Sequence, residues 1–123
     1  MKNKIFIAID TKSLNKAKSI INQVKLENFK IGFKFGLEFL NSKKGRSFIS
    51  KLKKKIIFVD LKLHDIPNTM SSAVIALKDL KIDYLTVHIS SGLKALKEVK
   101  KVSGKTKIVG ITTLTSLDSA DLK

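Results

Sequence analysis

The stretch DLKLHDIPNT, Asp60 to Thr69, packs two acids, a lysine and a histidine into six consecutive positions. Asp60 and Lys62 are two apart, so on a strand their side chains share a face. Asp65 follows in what reads as a loop. A lysine flanked by two carboxylates stays an ammonium, because neighbouring negative charge favours the charged form. That makes Lys62 a proton donor, suited to a place where a carbanion forms. The carboxylates would repel a substrate carboxylate set among them, and its departure as neutral carbon dioxide would relieve the repulsion. The ammonium would stabilise the carbanion left behind. A plainer account makes Asp60 and Lys62 an ion pair and Asp65 or Asn68 the cap of a helix, with Pro67 in its first turn. A buried ion pair adds little stability once desolvation is counted. Alternating charge at a strand end therefore leans towards chemistry.

Such a cluster needs a strand before it and a helix after it, and the chain repeats that unit. KIFIAID (4–10), FKIGFKF (29–35), KIIFVDL (55–61), IDYLTVHI (82–89) and KIVGITTL (107–114) are apolar runs expected as strands. Between them lie helical patterns. Ser13 can cap the first, whose Leu14, Ala17, Ile20, Ile21 and Val24 recur at helical spacing. LEFLNSKKGRSFISKLKK reads as one helix or a pair broken at Gly45. TMSSAVIALKDLK carries Met70, Val74, Leu77 and Leu80 near one face; SGLKALKEVKKV follows, and SLDSADLK reads as the start of another helix. Strands alternating with helices imply βαβ units and a parallel sheet covered on both faces. Both an open doubly wound sheet and a (β/α)₈ barrel satisfy this. No G-x-G-x-x-G or P-loop follows the first strand. Instead Asp10, Lys34, Asp60 with Lys62, His88 and Thr115 stand at or just past the strand ends, where barrels build active sites.

Composition narrows the classes. A chain of 123 residues suits one small domain. It has no cysteine, which excludes thiolate chemistry and fits a reducing cytoplasm. No apolar run approaches a membrane span, and MKNKIFIAID reads as a first strand and not a signal peptide. The formal net charge is +15, yet Arg46 is the only arginine. Nucleic-acid readers favour arginine forks and aromatic platforms. Lysines such as Lys51, Lys53, Lys54 and Lys55 fall on helix faces or ends, so a lysine-biased solvated surface is preferred to nucleic-acid binding.

DLKLHDIPNT closely resembles the signature of the orotidine 5′-phosphate decarboxylase family. IAID resembles that family's first strand, FKFGLEFL its second-strand motif, TVHISSG its fourth strand and ITTLTS its fifth. The resemblance implies conversion of orotidine 5′-phosphate to UMP and carbon dioxide, in de novo pyrimidine synthesis, without metal or cofactor. It implies a partial (β/α)₈ TIM barrel of about the first five βα units. It implies that Asp10 binds ribose hydroxyls, that Lys34 binds ribose and holds Asp60, and that Lys62 protonates C6 of the pyrimidine within a Lys-Asp-Lys-Asp network. Lys30 fits the second-strand motif less well than Lys34. Asp65, Ile66 and Thr69 would reach the site of a second subunit in a cytoplasmic homodimer with shared active sites, and Thr115 would contact the pyrimidine. His88 is expected to be packed or hydrogen-bonded, and His64 to be a loop residue without chemistry.

The family barrel has eight βα units, and about four and a half are recognisable here. The chain therefore resembles the N-terminal part, 1–123, of a single barrel domain, without the later loop and arginine that grip the phosphate. Alone it is expected to be inactive. Arg46, in the second helical region, cannot replace that arginine. Two other classes compete. Sugar-phosphate decarboxylases or aldolases of the same suprafamily share D-x-K-x-x-D, but bind Mg²⁺ and carry an acid on the second strand where Lys34 stands. A basic nucleic-acid-binding domain would expose arginines and aromatics, which are scarce.

Overall fold

The computed structural model describes residues 3–24, 30–52 and 54–122. Five strands alternate with helices: β1 Lys4–Ile9, α1 Leu14–Gln23, β2 Lys30–Gly36, α2 Leu37–Leu40, α3 Gly45–Lys51, β3 Ile56–Leu63, α4 Pro67–Ala76, β4 Tyr84–His88, α5 Leu93–Val102 and β5 Lys107–Ile111. Short 3₁₀ turns, Lys78–Leu80 and Ile89–Ser91, precede and follow β4. All neighbouring strands are parallel, in the order β1-β2-β3-β4-β5, which leaves β1 and β5 at the edges.

Local signals account for most of these limits. The Ser13 side chain accepts the Lys16 amide and caps α1, so the periodic apolar residues after it enter a helix. The second helical region is a pair of helices. Gly45 begins α3, and a Cβ there would lie 1.7 Å from the Phe39 carbonyl oxygen, so no side chain fits. Pro67 opens α4, but the cap position is Ile66 and neither Asp65 nor Asn68 caps the helix. Asp65 instead accepts the adjacent Ile66 amide at 2.7 Å. Helix α4 ends at Ala76, earlier than the periodicity suggests, and the 3₁₀ turn continues its apolar face. Met70, Val74, Leu77 and Leu80 are all buried as expected. Strand β5 stops at Ile111, and residues 112–122 form turns, not the helix expected from SLDSADLK. The expectations for Phe29 and Lys53 lie outside the described residues.

The helices cover one sheet face. Ile9, Phe33, Phe35, Ile57, Val59, Leu85 and Val87 point into that layer and are nearly inaccessible to water, packed with Ala17, Ile21, Phe39, Ile49, Met70, Val74, Ala95 and Val99. Each large apolar side chain buried there contributes about 1.5–3 kcal/mol relative to exposure. The other face is concave. Phe6 on β1 meets Tyr84 on β4 with ring centroids 5.3 Å apart, although β2 and β3 lie between them. The Lys4 ammonium also donates to the Tyr84 hydroxyl at 2.8 Å. Three strand spacings in a flat sheet would span about 14 Å, so the sheet curls strongly. Gly32 permits this, because a Cβ there would lie 2.5 Å from the Phe6 ring. Arg46 ties α3 to the end of α4 through the Ala76 carbonyl and the Asp79 carboxylate.

Candidate functional site

Towards the carboxyl ends of the strands the concave face carries an acid and two lysines. Strand β3 delivers Asp60 and Lys62, and β2 delivers Lys34. The Lys62 ammonium donates to Asp60 Oδ2 at 2.8 Å, and the Lys34 ammonium lies 3.5 Å from the same oxygen. The Asp60 side chain is only 13% exposed, whereas those of Lys34 and Lys62 are 34% and 40% exposed. Lys34 is therefore the second-strand lysine of the cluster. Lys30 begins β2 at its other end, opposite Lys4.

Asp60 and Lys62 do share a face, but not through a regular strand. Val59 lies opposite Leu85 and Leu63 opposite Val87, so β3 spends four steps where β4 spends two. This is an irregularity of the bulge kind, which re-aims side chains. Lys62 adopts a left-handed backbone with φ 49°. A non-glycine residue held there costs about 1–3 kcal/mol and persists only where its surroundings enforce it. Here the surroundings do so. The Lys62 amide, lost to the ladder, donates to Thr86 Oγ1 at 2.8 Å. The Thr86 hydroxyl in turn donates to Asp60 Oδ1 at 2.8 Å.

Thr86 is a member of the site that the strand-end pattern does not pick out. Its signal is there in hindsight: it alternates with Tyr84 and His88 on the concave side of β4, and it is a polar residue only 2% exposed.

Electrostatics follow from this geometry. Burial works against ionisation of Asp60. Hydrogen bonds from Lys62 and Thr86, with the positive charges of Lys62 and Lys34, outweigh it and hold the carboxyl below its ordinary value of 3.8. The cluster within one chain is thus a carboxylate between two lysines. The spacing in the sequence implies a lysine between two carboxylates, and Asp65 makes the difference. It lies in the exposed loop after β3, turned onto the Ile66 amide, and no hydrogen bond or ion pair joins it to Lys62 among the described residues.

The remaining candidates lie at the same end of the sheet, and among the described residues no side-chain hydrogen bond or ion pair joins them to the cluster. Asp10 directly follows β1 and is exposed. Ile66 precedes α4 with 65% exposure, and Thr69 is exposed in the helix's first turn. Thr115 is exposed in a turn beyond β5. His88 ends β4, half-buried, and its ring packs against His64 with centroids 5.0 Å apart. His64 therefore has a partner that its loop position did not suggest. Among the described residues no group of three or more His, Cys, Asp or Glu could hold a metal ion, and no helix is long and apolar enough to cross a membrane.

Two ammoniums held by one carboxylate at the mouth of a curled parallel sheet can attract an anionic group, and either can donate a proton. A family model described as "Orotidine 5'-phosphate decarboxylase / HUMPS family" matches residues 3–123. A curated orotidine 5'-phosphate decarboxylase from Wolbachia sp. subsp. Brugia malayi (strain TRS) is 44% identical over 125 residues, covering 98% of this chain and 54% of that protein. One from Sphingopyxis alaskensis is also 44% identical, over 126 residues, covering 100% of this chain and 55% of its own length. Among solved structures, the orotidine 5'-phosphate decarboxylase from Lactobacillus acidophilus superposes with a TM-score of 0.85 at 30% identity, over 98% of this chain and 57% of that one. The Methanocaldococcus jannaschii orotidine 5'-monophosphate decarboxylase complexed with inhibitor BMP does so with a TM-score of 0.78 at 26% identity, over 91% and 53%. The chain spans about half the length of the curated relatives it matches. The fold is that of a partial TIM barrel: five parallel strands with their helices, matching a little over half of those solved chains.

Proposed function

The chain belongs to the orotidine 5'-phosphate decarboxylase / HUMPS family, and on that premise we propose that it carries the proton-donating half of an orotidine 5′-phosphate decarboxylase site. In this reading residues 1–123 are the N-terminal part of one barrel domain, and the remaining βα units complete the site. The substrate is orotidine 5′-phosphate and the product UMP, with no metal or cofactor in the reaction.

The observation that carries the reading is the Lys34–Asp60–Lys62 array, with both ammoniums on Asp60 Oδ2. Lys62 is the proton donor. When the C6–carboxylate bond breaks, its electron pair stays on C6 and carbon dioxide leaves. The Lys62 ammonium stabilises the developing carbanion and then gives C6 its proton. Asp60 aims Lys62 through the 2.8 Å hydrogen bond and keeps its negative charge close to the departing carboxylate. Lys34 holds Asp60 from the other side and reaches the ribose, which Asp10 also binds. Thr115 contacts the pyrimidine.

Asp65, Ile66 and Thr69 complete the site of a second copy in a cytoplasmic homodimer. The exposure of all three at the mouth of the sheet supports that role, since a 65% exposed isoleucine gains by being covered. The sugar-phosphate enzymes of the same family are the second reading. A lysine at position 34, directed at Asp60, argues against it, because those enzymes need an acid on that strand.

The test is a titration of the isotope-labelled chain with UMP and, separately, with an RNA oligomer. UMP should shift the resonances of Asp10, Lys34, Asp60 and Lys62 ahead of the rest. A response to RNA alone, spread over the surface lysines, would replace this proposal with nucleic-acid binding.

A further inference from the structure

We propose that Thr86 is a positioning residue of this site: its buried hydroxyl clamps the β3 bulge so that the Lys62 ammonium and the Asp60 carboxylate face one another. The inference rests on the decarboxylase reading for its purpose, but its geometry stands apart from it.

A hydroxyl has one proton to give, and Thr86 gives it to Asp60 Oδ1 at 2.8 Å. One lone pair takes the Lys62 amide at 2.8 Å. A single side chain on β4 thus ties both ends of the Asp60–Lys62 step on β3. Without it the Lys62 amide would lack a partner inside the bulge, and its left-handed backbone, φ 49°, would lose the contact that enforces it. Asp60 would keep its hydrogen bond to Lys62 and its ion pair with Lys34 but lose the one fixed donor among its partners. Lys34 and Lys62 are long and partly exposed, whereas Thr86 is 2% exposed and stiff at χ1. The carboxylate plane is therefore set by Thr86, and the lysines adapt to it. Valine has the same shape and would pack equally well here, so packing alone does not call for a hydroxyl.

The test compares the wild-type chain with Thr86→Val and Thr86→Ser by amide exchange and by titration of the Asp60 carboxyl carbon. In Thr86→Val the Lys62 amide should exchange about tenfold faster relative to Val59, the scale of one net hydrogen bond. The Asp60 titration should move to higher pH. Serine keeps the hydroxyl and should restore both. Unchanged exchange and titration in Thr86→Val, or a serine variant that behaves like valine, would overturn the proposal. If Thr86→Val does not fold, the wild type decides: a slowly exchanging Thr86 hydroxyl proton close to the Lys62 amide supports the clamp, and its absence overturns it. The UMP response of the wild type separates the two levels. A chain that ignores UMP fails as a decarboxylase half whatever Thr86 does, while a normal UMP response beside an inert Thr86→Val sinks the clamp alone.

Discussion

Replacing Asp60 by asparagine tests the electrostatics of the cluster without changing its shape. The amide oxygen can take the place of Oδ1 and still accept from Thr86, but the amide nitrogen then stands where Oδ2 accepted from Lys62, so the charge and one acceptor are lost together. A charge-assisted hydrogen bond contributes about 1 kcal/mol more than a neutral one. The two ammoniums, both now on Asp60 Oδ2, would face each other without a counterion. At about 6 Å and an effective dielectric between 20 and 80, their repulsion is about 0.7–3 kcal/mol. Both lysines are a third or more exposed and can swing into solvent, so the lower end applies. Asp60→Asn should therefore destabilise the chain by about 1–2 kcal/mol at neutral pH, a fall of roughly 4–10 °C in Tm. The pH dependence has a definite sign. The folded carboxyl titrates below its ordinary 3.8, so its contribution is fully present above that value and is lost as pH falls through the lower, folded value. Denaturant unfolding of both proteins at neutral pH and at successively lower pH below 3.8 reads this out: the gap should be present at neutral pH and shrink as pH falls. An Asp60→Asn protein at least as stable as wild type at neutral pH would refute the reasoning, because desolvation of Asp60 would then exceed what its partners return.

Gly45→Ala should destabilise by about 1–3 kcal/mol in the same assay, since its Cβ would fall 1.7 Å from the Phe39 carbonyl oxygen and the α2–α3 turn must open. The unpaired edges of β1 and β5, with Phe6, Phe58 and Tyr84 only half-buried on the concave face, should make the isolated chain associate. Sedimentation should show mass rising with concentration, and a concentration-independent monomer would contradict this. The isolated chain should also fail to decarboxylate orotidine phosphate at a useful rate. Lys34 and Lys62 stand open to water, which weakens every charge interaction there, and turnover close to that of a complete relative would show that the open site suffices.

The βα alternation was legible because its signals are local. Apolar runs mark strands, Ser13 marks a helix start, and Met70, Val74, Leu77 and Leu80 mark a buried stripe. The polar strand ends were legible for the same reason, and Lys34, Asp60 and Lys62 do meet. What the sequence concealed depends on residues far apart in the chain. The bulge at Lys62 exists because β4 offers Thr86 as an acceptor 24 positions on. The curl of the sheet brings Phe6 across Gly32 to meet Tyr84, 78 positions on. The turn of Asp65 onto the Ile66 amide is local, but capping preferences favoured the helix end over it, and they were outweighed.

The most direct test of the catalytic assignment joins residues 1–123 to the C-terminal portion of a curated relative and compares that protein with its Lys62→Ala variant. Loss of orotidine phosphate absorbance follows turnover, and a UMP titration follows binding in the same preparations. If Lys62 delivers the proton, a joined protein that binds UMP should decarboxylate. Its Lys62→Ala variant should lose turnover while keeping most of its UMP affinity, because the ammonium acts on the carbanion and not on the bound product. Turnover that survives the substitution, or UMP affinity that falls as far as the rate, would contradict the account.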